Sequence, residues 1–260
     1  RNSMSWYRKS KKSYHKKTKA IIFVSSNGRY PSSGIDSFES LCNEKGIFLI
    51  EDAAQSLGSF YPDGRHIGKA GIIASFSFSA PKIISTGQGG ALITDDDEFA
   101  KKLRKIKDFG RTTGGNDIHD TIGFNFKFTE LQACIGIEQM KKLNSRIERK
   151  KEIYDIYKKN LKNVKEIKLF KNIKSTTAPW FIDCLVERRN HLMKYLEAKG
   201  IGTRVMYPPL NDQKAYNEKG DYPVSKNVGD KGLWLPSYVQ ISNDEITYIC
   251  KNIISFYEEK

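Results

Sequence analysis

Short apolar runs and amphipathic stretches alternate along the first half of the chain. Residues 19–25 are rich in β-branched side chains and predict a strand. Residues 35–45 carry apolar side chains at helical spacing and predict a helix that ends at Gly46. The apolar run 47–50 predicts a second strand. A strand, a helix and a strand in this order predict a βαβ unit with a parallel strand pair.

The pattern continues with strand candidates at 72–78 and 91–94, which flank a glycine cluster. Helices are predicted over 95–108, 131–140 and 141–162, the last of them long and charged. Further strands and helices follow, at 180–186, 190–199, 203–207 and 244–257. We therefore predict an α/β fold. A large domain with a mostly parallel sheet spans 19–150, a small α+β domain spans 151–260, and residues 1–18 form an extension.

Polar residues stand where the central strand candidates end. Asp52 follows the run 47–50, Ser77 lies near the end of the next strand candidate, and Lys82 comes just after it. Ligands of α/β sheets bind beyond the carboxyl ends of the strands, so we expect these three side chains to meet in one crevice. A lysine amine there can form a Schiff base with an aldehyde cofactor, and a carboxylate suits a pyridinium nitrogen.

Each of these residues also has a purely structural interpretation. Lys82 can be a solvated surface charge, Asp52 a strand-end cap and Ser77 an ordinary strand residue. No G-x-G-x-x-G motif separates the first two strand candidates, and the glycine cluster at 87–90 lacks the Gly-Lys-Ser/Thr ending of a P-loop. A nucleotide site of either kind is therefore not supported. His66 lies alone in a predicted loop, where a histidine is usually solvated, and it receives no role.

Three segments, in the right order, resemble one family: IEDAAQSLGS, SFSFSAPKIISTGQGGALITDD and IGFNFKFTELQACIGIEQMKKL. They are similar to the sugar-nucleotide aminotransferases of the DegT/StrS family, with a preference for the perosamine-synthase-like branch. The resemblance runs from about residue 19 to the C-terminus. It implies the type I aminotransferase fold and pyridoxal 5'-phosphate as cofactor. It also implies that the family's N-terminal third is missing here.

The resemblance assigns roles to five residues. Lys82 matches the lysine that binds the cofactor covalently and moves the proton during the reaction. Asp52 matches the aspartate that pairs with the pyridinium nitrogen, and Gln55 matches the residue packed against the ring. Ser77 matches a phosphate ligand. Asn125 matches an asparagine that reaches the phosphate of a neighbouring subunit, which implies a homodimer.

The activity implied by the resemblance is transfer of an amino group, with glutamate as donor, to a nucleotide-linked 4-keto-6-deoxy sugar. Because the N-terminal third is expected to be missing, a second hypothesis stays open. The chain would then be a catalytically silent remnant, or one piece of a split enzyme, that acts as a binding or regulatory protein.

Charge, apolar runs and cysteine content limit the classes of protein to which the chain can belong. Residues 1–19 hold eight Lys or Arg and no acidic residue, and thus +8 of the net charge of +14. We interpret residues 1–18 as a disordered extension, with nucleic-acid binding as a weaker alternative. No apolar run approaches the ~20 residues of a membrane helix, which predicts a cytoplasmic protein without a membrane partner. The four cysteines are scattered, which predicts free thiols and no metal site.

Overall fold

The computed structural model describes residues 11–31, 34–173, 175–216 and 220–259. These residues divide into two compact units. The first unit holds the described residues up to Ser145 together with Ser175–Ala178, and the second holds the others from Arg146 onwards. The predicted division at residues 18 and 150 stays a prediction, and residues 1–10 of the expected extension lie outside the described residues.

The first unit is built on a four-stranded sheet in the order β1-β2-β3-β4. β1 pairs with β2 and β2 with β3 in parallel, whereas β4 runs antiparallel to β3. This confirms the mostly parallel sheet. The strands are β1 (Ala20–Val24), β2 (Phe48–Asp52), β3 (Ile73–Ser77) and β4 (Gly90–Ile93).

Helix α1 (Asp36–Lys45) joins β1 to β2 and packs on one face of this sheet. Its Phe38 and Cys42 share a buried cluster with Leu49 of β2. The helix ends at Gly46, which adopts a left-handed φ of +61° that favours glycine. Since successive strand residues point to opposite faces, Asp52 does not share the face of Leu49.

Two more helices belong to the first unit, α2 (Asp97–Lys107) and α3 (Glu130–Lys141). The Asp96 carboxylate caps α2 by accepting from the amide of Phe99, at 2.8 Å. α3 begins with a reciprocal capping box between Thr129 and Gln132. None of the α3 residues is buried, although the helix is rich in apolar side chains.

The second unit holds an antiparallel sheet in the order β5-β6-β8-β7. The prediction missed β5, α6 and β8. All four residues of β8 are buried, so the strand shows no period-two alternation. The elements are α4 (Leu143–Asn160), β5 (Ile167–Leu169), β6 (Ile182–Val186), α5 (Arg189–Ala198), β7 (Arg204–Val205), α6 (Pro223–Lys231), β8 (Gly232–Leu235) and α7 (Asn243–Glu258).

The cysteines are free thiols, as predicted. Cys42, Cys184 and Cys250 are buried, whereas Cys134 on α3 is exposed. Across the residues that the structure describes, no group of three or more His, Cys, Asp or Glu side chains could hold a metal ion. Within the same ranges, no helix combines the length and the apolar character needed to cross a membrane.

Candidate active site

The carboxyl ends of β1, β2 and β3 lie at the same edge of the first sheet because these strands are parallel. Asp52 is the last residue of β2, and Ser77 is the last residue of β3. In the register, Asp52 pairs with Val24 on one side and with Ser75 on the other. β4 begins at this edge, with Gly90 opposite Ser77. The structure thus brings two of the predicted site residues together.

Asp52 is half-buried, and its carboxylate has defined hydrogen-bond donors. Its Oδ1 accepts from the amide of Ala54 at 3.1 Å and from the hydroxyl of Ser75 at 3.4 Å. Sequence reasoning missed Ser75. Its period-two spacing from Ser77 could have revealed it, since both serines must lie on one face of β3.

Lys82 follows β3 in a turn, where its amide donates to the Ser79 carbonyl at 3.0 Å. Burial lowers the pKa of the Lys82 amine, and the Asp52 carboxylate opposes that shift. The two side chains are therefore near enough to interact electrostatically. A lowered pKa raises the fraction of neutral amine, which is the nucleophilic form.

Hydroxyl groups and close backbone contacts surround the end of β3. The Ser77 and Ser79 hydroxyls lie 3.1 Å apart, and the Ser79 amide donates to the Ser77 hydroxyl at 3.4 Å. Gly89 has a φ of +129°, and a Cβ there would lie 2.4 Å from the ring of Phe128. Any side chain at this position would displace the aromatic ring, so the glycine is required for this close approach.

Gln55 lies at the same edge, next to the turn after β1. Its Oε1 accepts from the amide of Asn27 at 2.9 Å and from the Ser26 hydroxyl at 3.4 Å. Asn125 lies elsewhere in the first unit. It is exposed in the segment between α2 and α3, where its backbone forms an antiparallel bridge with Asp108.

His66 received no role from the sequence, and the structure shows a half-buried ring with defined hydrogen-bond partners. Its Nε2 accepts from the amide of Gly58 at 2.8 Å, and its Nδ1 lies 2.6 Å from the Ile67 carbonyl. The ring also packs edge-on against Phe60. Burial lowers the pKa of His66, which favours the neutral ring that this hydrogen-bond pattern needs. The histidine therefore stabilises the loop between β2 and β3.

The donor set at this edge fits pyridoxal phosphate. The cofactor presents a carbonyl carbon, a ring nitrogen and a phosphate, which require an amine, a carboxylate and hydroxyl or amide donors. Lys82 offers the amine, Asp52 the carboxylate, and Ser77 a hydroxyl at the strand end. All three belong to one compact unit.

Comparisons with known proteins give the class. Residues 8–254 match the DegT/DnrJ/EryC1/StrS aminotransferase family. The chain is 35% identical over 249 residues to GDP-perosamine synthase of Escherichia coli O157:H7, covering 94% of this chain and 67% of that protein. It is 29% identical over 238 residues to EpsN of Bacillus subtilis (strain 168), whose name describes a pyridoxal phosphate-dependent aminotransferase, covering 87% and 60%. The solved structure of DesV from S. venezuelae has a TM-score of 0.89 at 27% identity, covering 98% and 69%.

The chain therefore belongs to the DegT/DnrJ/EryC1/StrS aminotransferase family, and the predicted fold class is confirmed. Within this family it is a sugar aminotransferase similar to the GDP-perosamine synthases. The match begins at residue 8, earlier than the resemblance had suggested. The chain spans about two thirds of the length of these relatives.

Proposed function

We propose that the chain transfers an amino group from glutamate to a nucleotide-linked 4-keto-6-deoxy sugar, with pyridoxal 5'-phosphate as cofactor. Three motif residues at one sheet edge carry this proposal: Asp52 ends β2, Ser77 ends β3, and Lys82 lies in the turn after β3. The similarity to GDP-perosamine synthase supports a nucleotide sugar as substrate. When bound, the cofactor supplies an aldehyde for covalent attachment and a ring that accepts electrons.

Lys82 has two tasks in this proposal. Its amine would hold the cofactor, and once released its Nζ would move a proton between a carbon atom of the substrate and a carbon atom of the cofactor. Both tasks need an amine that is neutral part of the time. Burial of Lys82 lowers its pKa and so provides the neutral form.

Asp52 holds a proton on the ring nitrogen of the cofactor by presenting a negative charge to it. The Ala54 amide and the Ser75 hydroxyl orient this carboxylate. Gln55 would pack against the ring, and the Ser77 hydroxyl would bind the phosphate. Together these residues would orient the cofactor.

We also propose that Asn125 completes the phosphate site of a second copy in a homodimer. Two apolar side chains that follow Asn125 closely in the sequence are exposed among the described residues. Phe126 is 68% exposed and Leu131 is 80% exposed. Exposed apolar patches mark protein interfaces, and packing against a second copy would cover these side chains.

The test is a visible absorption spectrum of the purified 260-residue chain with added pyridoxal phosphate. We expect a coloured adduct that glutamate bleaches and that borohydride reduction traps on the Lys82 peptide. The Lys82→Ala variant should show no such adduct. An adduct spread over surface lysines would refute the assignment and favour the silent-remnant hypothesis for this chain.

A further inference from the structure

Residues 53–72 join the parallel strands β2 and β3 without a helix. Parallel strands are usually connected through a helix that packs on the sheet. In place of a helix, hydrogen bonds to a single carboxylate stabilise this connection. Glu51, the penultimate residue of β2, is 0% exposed and points to the face opposite Asp52.

Glu51 accepts hydrogen bonds from four donors in this connection. One oxygen, Oε1, accepts from the Tyr61 hydroxyl and from the Gly68 amide, the latter at 2.9 Å. The other, Oε2, accepts from the amides of Ala70 and Gly71, both at 2.7 Å. Burial of a charge is costly unless it is hydrogen-bonded in this way. The donors therefore compensate the buried charge, and the charge fixes the loop.

The loop lies directly against the strands at these donors. A Cβ at Gly68 would lie 2.6 Å from the ring of Phe76, and a Cβ at Gly71 would lie 2.7 Å from the Leu49 carbonyl. Tyr61 is 1% exposed, and its ring packs edge-on against Tyr30. The backbone in this region has little room to shift without breaking bonds to Glu51.

The same loop carries the residues that orient the cofactor site. The Ala54 amide donates to Asp52, and Gln55 binds the turn after β1. The Ser56 hydroxyl donates to the Ser25 carbonyl at 2.6 Å. The loop thus begins at the site edge and is held by Glu51 at its far end.

We propose that Glu51 and Tyr61 are positioning residues for the cofactor site. They act through residues 53–72, which set the orientation of the Asp52 carboxylate and of Gln55. The inference rests on the proposed roles of Asp52 and Gln55. If Glu51 and Tyr61 only stabilised the fold, their loss would lower stability without a specific effect on the cofactor.

Two substitutions test the proposal on the full 260-residue chain. Tyr61→Phe removes one donor to Glu51 and leaves three amides, so it should fold. Glu51→Gln keeps the side-chain volume but places an amide against main-chain donors. The matched control is Tyr157→Phe, which removes another fully buried hydroxyl. Tyr157 lies in the second unit and donates to the Pro236 carbonyl at 2.9 Å.

Three quantities are measured: urea unfolding, the Kd of pyridoxal phosphate from its visible absorption, and the visible circular dichroism of the bound cofactor. We expect Tyr61→Phe to raise the Kd about tenfold and to weaken the dichroic band, with a larger effect for Glu51→Gln. Tyr157→Phe should lose comparable stability while its Kd stays within about twofold. A fourth measurement is amide hydrogen exchange in the cofactor-free chain. The amides of Gly68, Ala70 and Gly71 should exchange faster in Tyr61→Phe and in Glu51→Gln, but not in Tyr157→Phe.

The inference is overturned if Tyr61→Phe changes the Kd and the dichroic band no more than Tyr157→Phe does. Asp52→Asn separates this result from a failure of the proposed function. If Asp52→Asn leaves the cofactor band unchanged, the proposed role of Asp52 fails. If Asp52→Asn alters the band but Tyr61→Phe does not, only the positioning role is wrong. Should Glu51→Gln fail to fold, Tyr61→Phe alone decides the outcome.

Discussion

Lys150 on α4 offers a sharp test of the energetics of the second unit. It is 6% exposed, and its amine donates to the Trp180 carbonyl at 2.8 Å and to the Ser237 carbonyl. Both of these acceptors are neutral. Burial lowers the pKa of Lys150 from its ordinary value of 10.5 to about 8.

This shift predicts how stability depends on pH. Between pH 8 and 10.5 the unfolded chain holds a proton on Lys150 that the folded chain has released, so the free energy of unfolding rises with pH in this window. At about 1.4 kcal/mol per pKa unit, Lys150 contributes a rise of roughly 3 kcal/mol. Below pH 8 the buried charge lowers the free energy of unfolding by this full amount, roughly 3 kcal/mol. Lys150→Met removes this dependence of stability on pH.

The assay is urea unfolding of the wild type and Lys150→Met between pH 7 and 10, followed by circular dichroism. The difference between the two free energies should shift by roughly 2.5 kcal/mol towards the wild type between pH 7 and 10, because the assay covers most of the window in which Lys150 titrates. The difference removes the contribution of tyrosines and cysteines to the pH dependence, because these groups titrate in both chains. Lys158→Met, on an exposed turn of the same helix, is the control and should give a flat difference. A flat difference for Lys150→Met would refute the reasoning.

Two further predictions concern the first unit. Leu131→Lys should convert a dimer to a monomer in gel filtration, because Leu131 is exposed in the single chain and would be buried in a dimer. The exposed Tyr248→Lys is its control, and an unchanged elution volume for Leu131→Lys would exclude this surface as the interface. Ser75→Ala should raise the Kd of pyridoxal phosphate about two- to fivefold, because one weak hydrogen bond to Asp52 is lost. Thr94→Ala, which removes a hydroxyl bond to the Ile72 carbonyl, should bind the cofactor like the wild type, and equal Kd values for both variants would contradict the role of Ser75.

The local pattern was sufficient for most elements of the first unit. β1 to β4 correspond to short apolar runs in the sequence. α1 shows apolar residues at helical spacing and a glycine after its last residue. The start of α3 follows from its capping residues, Thr129 and Gln132. Such signals lie within a few residues of each other, so they act before any tertiary contact exists.

The second unit was harder to predict. β8 is buried at all four residues, and a buried strand of Gly-Leu-Trp-Leu looks the same as a fragment of a core helix. β5 has only three residues. Their pairing partners in β6 are distant in the sequence, and only the closed sheet decides that these segments are strands.

At the candidate site, too, the sequence determined some features and the tertiary structure determined others. The sequence by itself determined the family and the residue types at the sheet edge, because the motifs around Asp52, Ser77 and Lys82 are contiguous. Only the tertiary structure decided what Glu51 and His66 do. The donors to Glu51 come from a loop up to 20 residues away, and the bond from Gly58 to His66 closes a turn within that loop. Buried polar groups take partners wherever the fold supplies donors, and sequence spacing does not encode those partners.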